Sequence, residues 1–214
     1  MKETILAIAA HNDDHIVGAG ATLAKYALEG KRIRTIICSF GEMSHPYLRR
    51  EVVIEKRVKE SLKADKIIGG SGIAYLSIKE GHFDEDFKKR KIDDKIAWII
   101  KKEKPSKIFT HSVDDFHPDH RAVYRLVMRL IDKGAIKCPV YSFDVWSLVK
   151  IRHRNLPRIV VDVTNTFNTK IKAFLIHKSQ TIAIWALLWK MILKDLISGQ
   201  VNGYTYAEVF YKLK

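Results

Sequence analysis

The chain has 214 residues, 47% hydrophobic and 29% charged, which is enough for one domain with a substantial core. Five Pro and 11 Gly exclude a linker-rich or disordered chain. Two cysteines, Cys38 and Cys138, exclude a disulfide framework and a Cys-only zinc finger, and read as buried thiols of a reducing compartment. The formal charge of +14 suits nucleic acid, anionic lipid or an anionic substrate but requires none of them, because Lys scattered over solvated helix faces also accounts for it.

The N-terminus, MKETILAIAAHNDDH, has too short an apolar stretch for a secretory signal, so a cytoplasmic protein is expected. Thr4 to Ala10 is a continuous apolar run, as in a parallel strand buried on both faces. Ile16 to Gly30 has helical period and ends in a glycine suited to the position after a helix. Ile33 to Phe40 reads as a second strand, Tyr47 to Ala64 as a charged amphipathic helix and Ile73 to Ile78 as a third strand. Phe87 to Glu103 reads as a helix before Pro105, and Lys107 to His111 as a fourth strand. His117 to Lys133 is a helix with Pro118 in its first turn. Val140 to Trp146 and Arg158 to Val163 are two further strands. The alternation predicts a Rossmann-like α/β domain of three layers with a mainly parallel central sheet, residues 1–214 forming a single domain.

In such sheets ligands bind beyond the carboxyl ends of the strands. The polar clusters of this chain fall there: His11-Asn12-Asp13-Asp14-His15, Gly41 to His45, and Asp114-Asp115-Phe116-His117-Pro118-Asp119-His120. Imidazole nitrogen and carboxylate oxygen are natural ligands of zinc. Two His and one carboxylate leave a position open for water, and a further carboxylate beside them can act as general base.

AHNDDH, SFGE, RVKESLKAD, DDFHPDHRAV, HKSQ and GYTYAEVF, spread from Ile5 to Phe210, together resemble the LmbE-like/PIG-L de-N-acetylase family, whose pattern is A-H-P-D-D-E early and H-P-D-H later. The resemblance implies zinc-dependent hydrolysis of an N-acetyl group on an N-acetylglucosamine-type sugar or glycoconjugate, with one Zn2+ per chain and acetate as product. Carried over by position, His11, Asp14 and His120 match the metal ligands and Asp13 the general base. His117 matches the residue that stabilises the oxyanion, Asp119 its carboxylate partner, and Arg57 an arginine that contacts substrate in some members.

Two positions depart from the pattern. Asn12 replaces Pro and is expected to hold the turn through its side chain. His15 replaces an acid and is expected in a supporting role. The alternative reading is a catalytically weakened metal- or sugar-binding member of the same fold; a basic nucleic-acid-binding protein rests on charge alone, and no nucleic acid is expected.

Thr181 to Ile197, TIAIWALLWKMILKDLI, is the most apolar stretch, and Lys190 interrupts it too early for a membrane span. Trp185 and Trp189 at i,i+4 predict an aromatic ridge. The readings are a buried helix or a contact in a homo-oligomer (trimer or hexamer, as the resemblance implies), a peripheral membrane-surface helix, or a lid over the substrate mouth.

Overall fold

The computed structural model describes residues 2–45, 47–147 and 155–214, with only the backbone of residues 182 and 183. In chain order the elements are β1 (Thr4–Ala9), α1 (Asp14–Leu28), β2 (Arg32–Ile37), α2 (Arg50–Ile67), β3 (Ile73–Tyr75), α3 (Phe83–Lys89), α4 (Ile92–Glu103), β4 (Lys107–His111), α5 (Pro118–Asp132), β5 (Val140–Phe143), β6 (Arg158–Asp162), α6 (Phe167–Phe174), α7 (Thr181–Val201) and β7 (Ala207–Lys212). A single turn of 3-10 helix, Lys178–Gln180, precedes α7.

The strands form one sheet in the order β3-β2-β1-β4-β5-β7-β6. Neighbours from β3 to β5 pair in parallel, and β7 lies antiparallel between β5 and β6. The sheet is covered on both faces, which explains why TILAIA is fully buried. Ile5 and Ala7 point into a core shared with α1, α2, α6 and α7, while Leu6 and Ile8 point into one shared with α3, α4 and α5. Gly18 lets α1 approach the sheet, since a Cβ there would stand 2.2 Å from the ring of Phe143.

The mainly parallel α/β expectation holds, with four corrections. The expected helix Phe87–Glu103 is two helices separated at Lys91, whose φ is +49°. Phe83 and Phe87 are buried four apart and Ile92, Ile96 and Ile100 likewise, but the step from 87 to 92 is five, so one straight helix cannot bury both sets. The second helix starts at Arg50 rather than Tyr47 and runs on to Ile67. Strands β2, β3 and β5 stop at Ile37, Tyr75 and Phe143, each three residues short, where the chain turns into the loops at the carboxyl edge of the sheet. Helix α6 and strand β7 are additional, and part of the expected run Val140–Trp146 is followed by residues 148–154, outside the described ones.

Candidate metal centre

The first cluster sits in the turn from β1 into α1. Asp13 occupies the N-cap position, its carbonyl accepting the Ile16 and Val17 N–H groups, but its carboxylate makes no cap bond. The side chain is therefore released for other use. Asn12 donates from Nδ2 to the Phe40 carbonyl at 2.7 Å, so it ties its turn to the loop after β2. The second cluster opens α5, with His117 as N-cap and Pro118 at the first helical position. Nδ1 of His117 accepts the Asp119 N–H at 3.1 Å, which leaves Nε2 as the protonated, donating nitrogen of the neutral ring.

Parallel pairing of β1 with β4 brings these two turns together. Asp14 Oδ1 lies 3.3 Å from His120 Nε2, Asp14 Oδ2 lies 3.4 Å from His11 Nδ1, and the two ring nitrogens are 3.3 Å apart. A tetrahedral ion bound at about 2.0–2.1 Å has donor–donor edges of about 3.3–3.4 Å, so these three side chains fit zinc with one position left open. All three are buried. Among the described residues, His11–His117–Asp119 and His111–Asp115–His120 are two further sets with comparable spacing, each sharing one histidine with the first.

The electrostatics favour a cation at this point. Burial acts to lower the pKa of His11, yet hydrogen bonds to Asp119 and Asp14 raise it to about 10. For His120, burial is likewise outweighed by Asp14 and Asp115, and its pKa rises to about 9. Asp14, despite burial, is held well below the usual carboxylate range by His120, His11 and His111. His117 is opposite in character: burial and the nearby His11 and His120 lower its pKa to about 4, so it is a neutral donor at physiological pH.

Asp115 was not among the expected site residues, and the structure gives it a central place. Its Oδ1 stands 3.0 Å from His120 Nδ1 while Oδ2 accepts the backbone N–H groups of Val145 and Trp146. A carboxylate fixed behind a metal-ligating histidine sets its ring and raises its basicity. Asp115→Asn is expected to weaken zinc binding about 10–100-fold in a chelator competition, and unchanged affinity would assign Asp115 to the loop alone. His111 was also missed. Its Nε2 lies 3.3 Å from Asp14 Oδ2 and its ring stacks on His120 at 4.1 Å.

Arg57 lies on α2. It is buried, with one terminal nitrogen donating to Asp13 Oδ1 at 3.1 Å and the other to the Gly41 carbonyl at 2.9 Å. Gly41 has φ +67°, and a Cβ there would stand 1.9 Å from the guanidinium, so the G-E element is required for this docking. The Asp119 carboxylate stands 3.3 Å from His11 Nε2 and lies near the His117 ring as well, whose Nδ1 accepts the Asp119 backbone N–H. Glu80, on the loop after β3, brings Oε1 to 3.9 Å from His11 Nε2.

His15 is fully buried, and among the described residues neither ring nitrogen has a hydrogen-bond partner and it belongs to none of the three candidate metal-binding sets. Burial, then the neighbouring His177, lowers its pKa to about 4. His177 is likewise buried, and lies near Asp13 and Arg57.

A cavity of about 100 Å³ opens on this centre, lined by His11, Asp13, Asp14, Arg57, Glu80 and His117, with Trp146, Gln180 and Leu187 also in its wall. A larger one of about 690 Å³ lies at the opposite end of the sheet, between the ends of α4 and α5, away from these groups.

The chain is similar to known deacetylases. It is 27% identical over 186 residues to the 1D-myo-inositol 2-acetamido-2-deoxy-alpha-D-glucopyranoside deacetylase of Streptomyces scabiei, covering 73% of this chain but only 57% of that protein's length. It is 28% identical over 196 residues to a probable N-acetyl-alpha-D-glucosaminyl L-malate deacetylase 2 of Bacillus cereus, covering 86% of each. The N,N'-diacetylchitobiose deacetylase from Pyrococcus horikoshii superimposes with a TM-score of 0.82 over 99% of this chain and 84% of that one, at 21% identity, a likeness of fold. The family model described as GlcNAc-PI de-N-acetylase matches residues 6–131, more than half of the chain, and so takes in both polar turns, Arg57 and β1 through α5. The chain belongs to the PIG-L family.

Proposed function

We propose that this protein hydrolyses the N-acetyl group of an N-acetylglucosamine-type sugar or glycoconjugate, releasing acetate and the free amino sugar, with one Zn2+ held by His11, Asp14 and His120. The observation that carries this reading is that two of those ligands, His11 and Asp14, line one cavity with Asp13 and His117, while the buried His120 completes the trio beside them. The ion would polarise the acetyl carbonyl and acidify a water molecule.

The chain's own residues account for the proton movements. Asp13, held at Oδ1 by Arg57, takes the proton of the attacking water as the new C–O bond forms. His117, neutral and protonated at Nε2, donates a hydrogen bond to the carbonyl oxygen as negative charge develops there. Asp13 then returns the proton to the nitrogen as the C–N bond breaks. Arg57 acts here as a positioning residue for Asp13. The small cavity takes the acetamido end, since sites for drug-sized ligands run to about 300–1,000 Å³. The rest of the sugar meets Trp146 and Gln180, which also line the cavity. The supporting relatives are named for N-acetylated amino-sugar substrates.

Acetate release from chitooligosaccharides, inositol-linked N-acetylglucosamine and N-acetylglucosaminyl malate tests the reading and ranks substrates. Purified protein is expected to hold close to one zinc per chain, most of it lost in His120→Ala. Full zinc retention by both His120→Ala and His11→Ala would remove the centre, and absence of acetate release from every substrate by zinc-loaded protein would remove the reaction.

A further inference from the structure

Helix α7 is buried on one side only. Ile184, Leu187 and Met191 pack into the core, while Trp185, Trp189, Leu193, Ile197 and Val201 are each between 51% and 73% exposed. These five stand four residues apart throughout. At 100° per residue they sweep about 160° of arc, so nearly the whole outward side of the helix is apolar. Such a surface is not left bare on a soluble protein without an occupant.

Cations predominate around it, although Glu60 bonds Ser179 just before α7 and the exposed Glu51 follows Arg50. Lys178, Lys190 and Lys194 flank the stripe. The only acid on α7, Asp195, is buried against Lys170 and presents no charge outward. A second apolar outcrop lies on the loop from β2 to α2, where Met43, Tyr47 and Leu48 are exposed next to Arg49 and Arg50. The His45 ring is bonded to the Ser179 carbonyl, just before α7, and Lys190 donates to the Val145 carbonyl. Ser44, Val145, Gln180 and Leu187 line the same cavity, so both outcrops border the catalytic mouth.

We propose that the outward side of α7, together with the β2–α2 loop, is a docking surface for an anionic lipid bilayer, which sets the catalytic mouth at the membrane surface. Trp and Tyr are the residues that settle at the level of lipid headgroups, and Lys and Arg beside them reach the phosphates. Each cation near an anionic leaflet contributes about 1 kcal/mol. Among the described residues no helix is long and apolar enough to cross a membrane, so α7 lies on the bilayer rather than through it. The cations beside the stripe favour an anionic surface as occupant, and the net charge of +14 acts in the same direction.

The test is co-sedimentation of the full chain with phosphatidylcholine vesicles, with and without phosphatidylglycerol, alongside light scattering of the protein alone. Wild type is expected to bind the phosphatidylglycerol vesicles, to bind pure phosphatidylcholine much less and to be released by high salt. Its tryptophan emission should shift to shorter wavelength on binding. Trp185→Ser with Trp189→Ser should weaken binding about tenfold or more while leaving the melting temperature and turnover of a soluble substrate unchanged. Lys178→Gln with Lys194→Gln should weaken binding only to the anionic vesicles. The proposal is overturned if wild type fails to bind phosphatidylglycerol vesicles or if the double Trp variant binds as well as wild type. It is also overturned if the protein alone is an oligomer whose mass falls in that variant, which would make the stripe a contact between copies. Vesicle binding is measured without turnover, so it stands or falls separately from the deacetylase reading.

Discussion

Asp13→Asn is expected to leave zinc content unchanged and to lower kcat about 10²–10⁴-fold, the usual contribution of a positioned general base. The substitution is close to isosteric, and Asn keeps an oxygen that Arg57 can bond, so the 3.1 Å contact survives while the basic group is lost. The adjacent ligand Asp14 is untouched: its oxygens still face His11 and His120. The comparison with Arg57→Lys separates chemistry from positioning. Lysine cannot span both Asp13 and the Gly41 carbonyl as the guanidinium fork does, so that variant should fall in kcat with little change in zinc. Steady-state kinetics and metal analysis on the same preparations check both. An Asp13→Asn enzyme with wild-type kcat, or one that has lost its zinc, would refute the assignment of base and ligand to Asp13 and Asp14.

Lys170→Met should cost about 3–5 kcal/mol of folding stability, although the residue lies in no cavity of the candidate site. Its ammonium is almost completely buried, 2.5 Å from Asp195 and 2.7 Å from Glu208. Glu208 also accepts the Ala21 and Thr22 N–H groups, so one cation joins α6, α7, β7 and α1. Removing it leaves two buried carboxylates facing each other, and an uncompensated buried charge is the costly outcome. Asp195→Asn should cost less, because Lys170 keeps Glu208 and the group removed is one that burial already disfavours as an anion.

The pH dependence has a definite sign. Burial raises the pKa of Asp195 to about 6, against an ordinary value of about 3.9 in the unfolded chain. Between those values the folded protein binds more protons than the unfolded one, so this group's contribution to stability falls as pH rises through the window. Without the Lys170 ammonium, which holds the Asp195 pKa down, Asp195 is driven further the same way. The deficit of Lys170→Met should therefore be largest at neutral pH and narrow toward pH 5. Urea denaturation at the two pH values measures it, and a small, pH-independent loss would show that the cluster does not act as a charged unit.

The order of elements was legible in the sequence because it rests on local periodicity. TILAIA reads as a strand covered on both faces, and Pro118 with His117 before it marks a helix start, because nearest neighbours alone decide those conformations. That the two polar clusters meet was legible for a related reason: once His11–Asp14 and His117–His120 follow adjacent parallel strands, the sheet brings them together, while the choice of candidate ligands within them came from the family resemblance. Even the break between α3 and α4 was present as a five-residue step from Phe87 to Ile92, though outweighed by the helical character of the whole run. What depended on the third dimension were contacts made across long separations. The Asp115 carboxylate could have been only another cap, until packing put it behind His120 and under the Val145 and Trp146 N–H groups. Arg57 was legible only as an arginine matching a substrate-contacting position, because the partners that hold it, Asp13 and Gly41, lie 44 and 16 residues away. Strand β7 carries too little alternation to declare itself, and its place between β5 and β6 is set by pairing and by the Lys170–Glu208 contact. The apolarity of Thr181–Ile197 was plain from composition, but a helix apolar on every side has no inward face until a fold chooses one. Packing of Leu187 and Met191 against the sheet left Trp185 and Trp189 outside.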